Sequence, residues 1–277
     1  MKKITLISLL MAHNIFSQTL IPNPPEVSAT SFLLIDAKTK TVITSSEPNQ
    51  STGLASITKI MTSYVVADQI SKGFLTEDTM VDISEECWRM EGSRMFIKEG
   101  TEVPISELLK GVIIQSGNDA SCALAEKIAG SQSAFADLMN NYAEQLGLEN
   151  TNFVNPTGLP DINHYSTAND IAKLSIRLIE DFPDNYALFK EKEYTFNNIR
   201  QLNRNSLLWQ DDSIDGIKTG HTNASGYCLV ASAKRDEMRL IAVTLNSTSE
   251  KTRLQDSRRL LDYGFRFFKT KKVLSKS

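Results

Sequence analysis

The chain has 277 residues, 41% of them hydrophobic and 23% charged, with a formal net charge of −3. This describes an ordinary globular protein of one large or two small domains with ample core. Nothing in the charge balance calls for nucleic acid as a partner, and three cysteines without a C-x-x-C pair and only three histidines argue against a zinc cluster.

The first residues read as an export signal. Lys2 and Lys3 precede an apolar run from Ile4 to Ala12, which is too short to span a bilayer as a mature helix, and small Ser17 marks a cleavage position. Residues 1–17 are therefore expected to be a signal peptide, and residues 18–27, rich in proline, an extended lead-in to a domain over 28–268. Export would place the protein in the periplasm or facing the cell wall, peripheral to the inner membrane. Ser31 to Ile35 and Thr41 to Thr44 form a predicted hairpin, with Lys40 where a glycine would turn more easily.

Ile60, Met61, Tyr64 and Val65 then give helical spacing after Ser56. Met80 to Glu102 reads as a loop with short strands. Pro104 suits a helix start, and the helix from Ile105 to Gln115 is interrupted at Ser116-Gly117-Asn118. Further helices are expected from Asp119 to Ala129, Ser133 to Leu146 and Thr167 to Glu180, the first two stopped by Gly130 and Gly147. Asp215 to Lys218, Tyr227 to Ala233 and Met238 to Leu245 read as strands, and Glu250 to Phe268 as a terminal helix. Strands at both chain ends with helices between suggest one antiparallel sheet covered by helices, plus an all-helical subdomain, an α/β (α+β) fold. Cys122 and Cys228 lie in apolar runs and read as small core residues rather than a bridge. An odd count leaves at least one thiol free.

Three short patterns carry chemistry. Ser56-Ile57-Thr58-Lys59 puts a hydroxyl and an amine on one helical face, where a lysine of lowered pKa can act as the base for a serine nucleophile. Ser116-Gly117-Asn118 offers a second hydroxyl and an amide in a short connection between helices. Lys218-Thr219-Gly220-His221 ends a strand with a cation, a hydroxyl and a glycine that lets a substrate backbone lie close. Each pattern is common alone; in this order they match the motif set of β-lactamases and penicillin-binding proteins.

The chain resembles the low-molecular-mass penicillin-binding proteins, serine-type D-alanyl-D-alanine carboxypeptidases of the peptidase S11 type. The likeness runs from about Ser28 to Thr270 and extends to Asn155-Pro156-Thr157-Gly158-Leu159, His164-Tyr165-Ser166-Thr167-Ala168, Asn203-Arg204-Asn205 and Asp215-Gly216-Ile217. It implies a β-lactamase/transpeptidase-like fold and a reaction on peptidoglycan stem peptides, with β-lactams as inhibitors and no cofactor or metal. Ser56 would attack the penultimate D-alanine, Lys59 would be the base and Ser116 the proton relay. Asn118 would hold the substrate amide, and the Ser56 and His221 N–H groups would form the oxyanion hole. Lys218 and Thr219 would hold the terminal carboxylate beside Gly220. Arg204 and Arg253 match arginines near the family's substrate site, with a structural ion pair as the alternative for both.

The sequence departs from the family pattern in several places. Ser121 stands where relatives carry a cysteine, and the thiol falls at Cys122. Many relatives continue into a β-rich second domain and an amphipathic anchoring helix. Here neither is expected, and residues 269–277 read as a basic, solvated tail on a monomer without a stable membrane anchor. A class A β-lactamase would need a Glu-x-x-Leu-Asn segment; before Leu202-Asn203 the glutamate position holds Ile199, so β-lactam turnover should be slow. A D,D-endopeptidase of cross-links shares all three motifs, and a dead wall-binding module would have lost them.

Overall fold

A computed structural model describes residues 21–271. The expected signal peptide over 1–17 and the tail beyond residue 271 lie outside the described residues. Residues 21–27 are extended, and the Pro22 carbonyl accepts a hydrogen bond from the Tyr263 hydroxyl at 2.9 Å.

The elements run in this order: β1 (Ser31–Asp36), β2 (Val42–Ser46), a one-turn 3-10 helix (Ala55–Thr58) leading into α1 (Lys59–Ser71), β3 (Met80–Asp82), α2 (Glu85–Trp88), β4 (Glu102–Pro104), α3 (Ile105–Lys110), α4 (Asn118–Ala129), α5 (Gln132–Gln145), α6 (Ala168–Asp181), α7 (Pro183–Tyr186), β5 (Glu193–Phe196), β6 (Ile199–Leu202), β7 (Ile214–Thr222), β8 (Gly226–Arg235), β9 (Met238–Ser247) and α8 (Glu250–Phe267). Lys40 takes φ 59° in the β1–β2 turn, the left-handed conformation that the sequence would more easily have given to glycine. Gly130 and Gly147, also at positive φ, stop α4 and α5 as expected.

Both chain ends contribute to one antiparallel sheet of order β2-β1-β9-β8-β7. Strand alternation divides its faces. Leu34, Leu240 and Ala242 pack with Leu260 and Leu261 of α8, whereas Leu33, Ile241 and Val243 join the larger core that contains α1 and α6. Because helices cover both faces, the central strands are apolar on both sides, which explains why β9 reads as a continuous apolar run. The helical insertion carries α2 to α5 and is edged by a two-stranded ribbon, β3 against β4.

The expected helix from Ile105 to Gln115 is regular only to Lys110. Its last turn, Gly111–Gln115, widens to π geometry and ends at Ser116 with φ 66° and ψ 34°. Such wide turns recur at functional sites. The β5–β6 hairpin was not legible, because Glu193–Phe196 and Ile199–Leu202 are short and largely exposed.

The cysteine expectation is corrected. Cys87 of α2 and Cys122 of α4 form a disulfide, and Cys228 is the free, buried thiol. Apolar surroundings suit a bridged cysteine as well as an unbridged one, and the 5.2 Å Cα separation arises from the packing of α2 on α4, 35 residues apart in sequence. Closing a loop of that size should contribute about 3–4 kcal/mol by the chain-entropy argument. Urea unfolding of the Cys87→Ser/Cys122→Ser double variant should show a loss of that order, and an unchanged midpoint would contradict a stabilising role. Burial pushes the Cys228 thiol up to about 11, which leaves it protonated and unreactive.

Candidate active site

Ser56 sits in the 3-10 turn at the entrance to α1, directly after Ala55, whose φ is 47°. A non-glycine residue held there costs on the order of 1–3 kcal/mol and persists only where the surroundings fix it. Two glycines show what fixes this turn. A Cβ on Gly158, itself at φ 83°, would lie 1.8 Å from the Ala55 carbonyl oxygen. One on Gly220 of β7 would lie 3.1 Å from the Ser56 nitrogen. The Asn155-Pro156-Thr157-Gly158 loop and β7 therefore close on the Ser56 turn from two sides, at a distance only glycine permits.

Lys59 is fully buried, and its Nζ lies 3.0 Å from Ser56 Oγ, 2.7 Å from Asn118 Oδ1 and 2.7 Å from the Thr157 carbonyl. Burial brings its pKa down to about 7, against the opposing pull of Asp119. The three contacts suit both protonation states. An ammonium can donate to all three oxygens. A neutral amine can donate to Asn118 and Thr157 and turn its lone pair to the Ser56 hydroxyl. A base of pKa near 7 within hydrogen-bond reach of a hydroxyl meets both requirements of nucleophile activation.

Asn118 opens α4, and its backbone and side chain are both tied to the loop after α2. Its N–H donates to the Ser93 carbonyl at 2.7 Å and its Nδ2 to the Glu91 carbonyl at 2.6 Å, which leaves Oδ1 for Lys59. Asp119 beside it accepts backbone N–H bonds from Met95 and Phe96 at 3.0 and 2.9 Å. Burial raises its pKa while those N–H groups hold it down. Ser116 is buried, and its hydroxyl has no hydrogen-bond partner within the protein. Left-handed backbone and an unpartnered hydroxyl suit a group that must exchange protons with a ligand.

β7 is an edge strand of the main sheet, so a row of its backbone groups is open to an added strand. Lys218 is buried and donates to the Thr219 carbonyl at 3.1 Å. Burial lowers its pKa, and the charges of Lys59, Arg253 and Arg204 lower it further. A cavity of about 280 Å3 is lined by Ser56, Ser93, Ser116, Arg204, Thr219, Gly220, His221, Tyr227, Glu250 and Arg253. Arg204 is exposed at its rim. Arg253 is buried; it donates to the Gly220 carbonyl at 3.1 Å and pairs with Glu250 at 3.1 Å. For Arg253 the two readings thus combine, an ion pair and a cavity wall. His221 stacks on Tyr227 at 4.0 Å between ring centroids, and the Arg253 guanidinium lies 5.6 Å from the Tyr227 ring centroid on which it packs. Two arginines and two buried lysines around a hydroxyl and a strand edge make a site for an anionic, extended ligand.

All ten site residues named from sequence meet here. Lys59, Asn118 and Lys218 are buried at the site, and the other seven line its cavity. Sequence reasoning missed the Thr157 carbonyl, Ser93, Tyr227 and Glu250. A backbone carbonyl has no sequence signature, but Asn155-Pro156-Thr157-Gly158 does signal a fixed turn. Asn155 Oδ1 accepts from the Thr157 and Gly158 N–H groups at 3.1 and 2.7 Å. His164 has a related structural role. Its Nδ1 accepts from the Val154 N–H, so Nε2 donates to Thr58 Oγ1 at 2.7 Å, and burial lowers its pKa to about 4, which keeps it neutral.

Comparison with known proteins gives the family. D-alanyl-D-alanine carboxypeptidase DacA of Escherichia coli strain K12 is 45% identical over 271 residues, covering 95% of this chain and 67% of that protein. The chain thus spans about two thirds of that relative's length. The D-alanyl-D-alanine endopeptidase of the same strain is 33% identical over 243 residues, covering 85% of this chain and 77% of that protein. The crystal structure of penicillin binding protein 6B from Escherichia coli superposes with a TM-score of 0.89 at 41% identity, over 94% of this chain and 84% of that one. The profile of the Peptidase_S11 family, D-alanyl-D-alanine carboxypeptidase, matches residues 18–249. By sequence, fold and the geometry around Ser56, the chain belongs to the peptidase S11 family of D-alanyl-D-alanine carboxypeptidases.

Proposed function

We propose that the protein is a serine D,D-carboxypeptidase that removes the terminal D-alanine from peptidoglycan stem pentapeptides through an acyl-enzyme. The observation that carries this reading is the buried Lys59 amine, of pKa about 7, lying 3.0 Å from Ser56 Oγ. The stem peptide adds to the free edge of β7, with its terminal carboxylate held by Thr219, Lys218, Arg204 and Arg253. Ser56 Oγ attacks the penultimate carbonyl as Lys59 takes its proton. The oxyanion forms between the Ser56 and His221 N–H groups, where preorganised donors act only on the transition state. The second Nδ2 hydrogen of Asn118 donates to the substrate amide carbonyl, and Ser116 passes the proton from Lys59 to the departing D-alanine nitrogen. Water then attacks the ester, with the same amine as base.

β-Lactams present a strained amide and a carboxylate in the same arrangement and acylate Ser56 in turn. Ile199 lies on β6 and cannot serve as the glutamate that activates a deacylating water in class A β-lactamases. Turnover of the penicilloyl ester is accordingly slow. The reading includes export by the N-terminal segment and action on the wall from outside the inner membrane. Among the described residues no helix is long and apolar enough to cross a membrane.

The test compares two substrates. Purified protein should release D-alanine from a pentapeptide ending in D-Ala-D-Ala at least tenfold faster, per kcat/KM, than it cleaves a cross-linked peptide dimer. The higher identity to the carboxypeptidase than to the endopeptidase supports that order. Faster cleavage of the dimer would make the protein an endopeptidase.

A further inference from the structure

Glu250 is the one acidic side chain among the described residues that line the catalytic cavity. It stands in the first turn of α8, and its carboxylate lies 3.1 Å from Nη2 of Arg253. The two partners differ sharply in freedom. The Arg253 side chain is 6% exposed and that of Glu250 is 62% exposed.

Arg253 does not depend on Glu250 for its place. Nη1 donates to the Gly220 carbonyl at 3.1 Å and reaches the Cys228 carbonyl at 3.5 Å, and the guanidinium packs on the Tyr227 ring. The Nε of Arg253 is buried without a partner. The guanidinium thus lines the cavity on its own anchors, and a largely exposed carboxylate rests on its Nη2. A side-chain carboxylate on Nη2 has the same charge and the same hydrogen-bond geometry as the end of a peptide.

We infer that Glu250 is a resident competitor for the substrate's terminal carboxylate: it occupies Arg253 in the free enzyme, swings to solvent when a peptide carboxylate binds, and returns as D-alanine leaves. The inference rests on the carboxypeptidase reading above and adds a specificity-determining residue to it. Its consequence is weaker ground-state binding of carboxylate-ended peptides and readier release of the amino-acid product. Binding that is equal in ground and transition states lowers KM without raising kcat, so relieving it in the free enzyme costs no chemistry.

The experiment is Glu250→Gln, which keeps size and hydrogen bonding and removes the charge. Glu250 is largely exposed and its pairing is screened, so the change in equilibrium constant should be on the scale of exposed ion pairs, about two- to fivefold. The KM for D-alanine release from a D-Ala-D-Ala peptide should fall by about that factor, with kcat changed less than twofold. Inhibition by added free D-alanine should strengthen by the same factor. The second-order rate constant for acylation by a penicillin, which includes binding, should rise in parallel, whereas that for its methyl ester should stay constant. Glu250→Asp, which keeps the charge, should restore part of the wild-type KM. An unchanged or raised KM, or an equal change for acid and ester, would overturn the inference. The penicillin and ester pair also separates two failures. If wild-type protein releases no D-alanine, the carboxypeptidase reading falls, and the acid–ester difference still reports on Glu250.

Discussion

Ser56→Ala should abolish labelling by a fluorescent penicillin and lower D-alanine release by about 10^4-fold or more, the scale seen when a nucleophile acting in a unit with its base is removed. The fold should be untouched. Ser56 Oγ is one of three acceptors around Lys59 Nζ, and Asn118 Oδ1 and the Thr157 carbonyl, each at 2.7 Å, remain when it is lost. A neutral Lys59 amine then keeps an acceptor for each of its two N–H groups, and a hydroxyl at the cavity wall is replaced by a methyl. Thermal unfolding of the variant should therefore match wild type within a degree or two. A variant that unfolds early would make Ser56 a structural residue. A variant that still takes the label would move the nucleophile elsewhere.

The second large effect is on pH. Burial disfavours the Lys59 ammonium and brings its pKa to about 7, so the amine is protonated below that value and neutral above it. Only the neutral form can take the Ser56 proton. The rate of acylation by a penicillin should rise with pH, reach half its plateau near pH 7, and fall about tenfold per pH unit below about 6. His164 titrates near 4 and does not blur this limb. Lys59→Arg keeps a cation and removes the base. It should lose about 10^3-fold in acylation, within the range for general bases, and its residual rate should lack the pH step. A wild-type rate that stays flat from pH 5 to 8 would rule out Lys59 as the base.

Much of this arrangement was legible in the sequence, and the reason is local. Ser56 and Lys59 are one helical turn apart, Ser116 and Asn118 flank one tight connection, and Lys218 to His221 are consecutive on one strand, so each motif fixes its own short-range geometry. The order of elements also carries the sheet, because β1 and β9 are strongly apolar and pair in register from Ser31↔Leu245 to Asp36↔Leu240. What escaped depends on packing between distant segments. The Cys87–Cys122 bridge needs α2 laid on α4. The Thr157 carbonyl reaches Lys59 because Gly158 admits the Ala55 turn. Glu250 and Arg253 are three residues apart on α8 and could be paired from sequence, but only the packing of Arg253 on the Gly220 carbonyl of β7 puts that pair in the cavity wall. The π turn before Ser116 has no pattern of its own. It shows only as the irregular end of a helix that begins well at Ile105.

The claim that Ser56 is acylated is open to direct measurement. The protein is incubated with a penicillin, quenched, digested, and the adduct mapped by tandem mass spectrometry. A single penicilloyl group on the peptide containing Ser56, absent from Ser56→Ala, is the predicted result. An adduct on any other residue, or D-alanine release by a protein that forms no adduct at all, would contradict it.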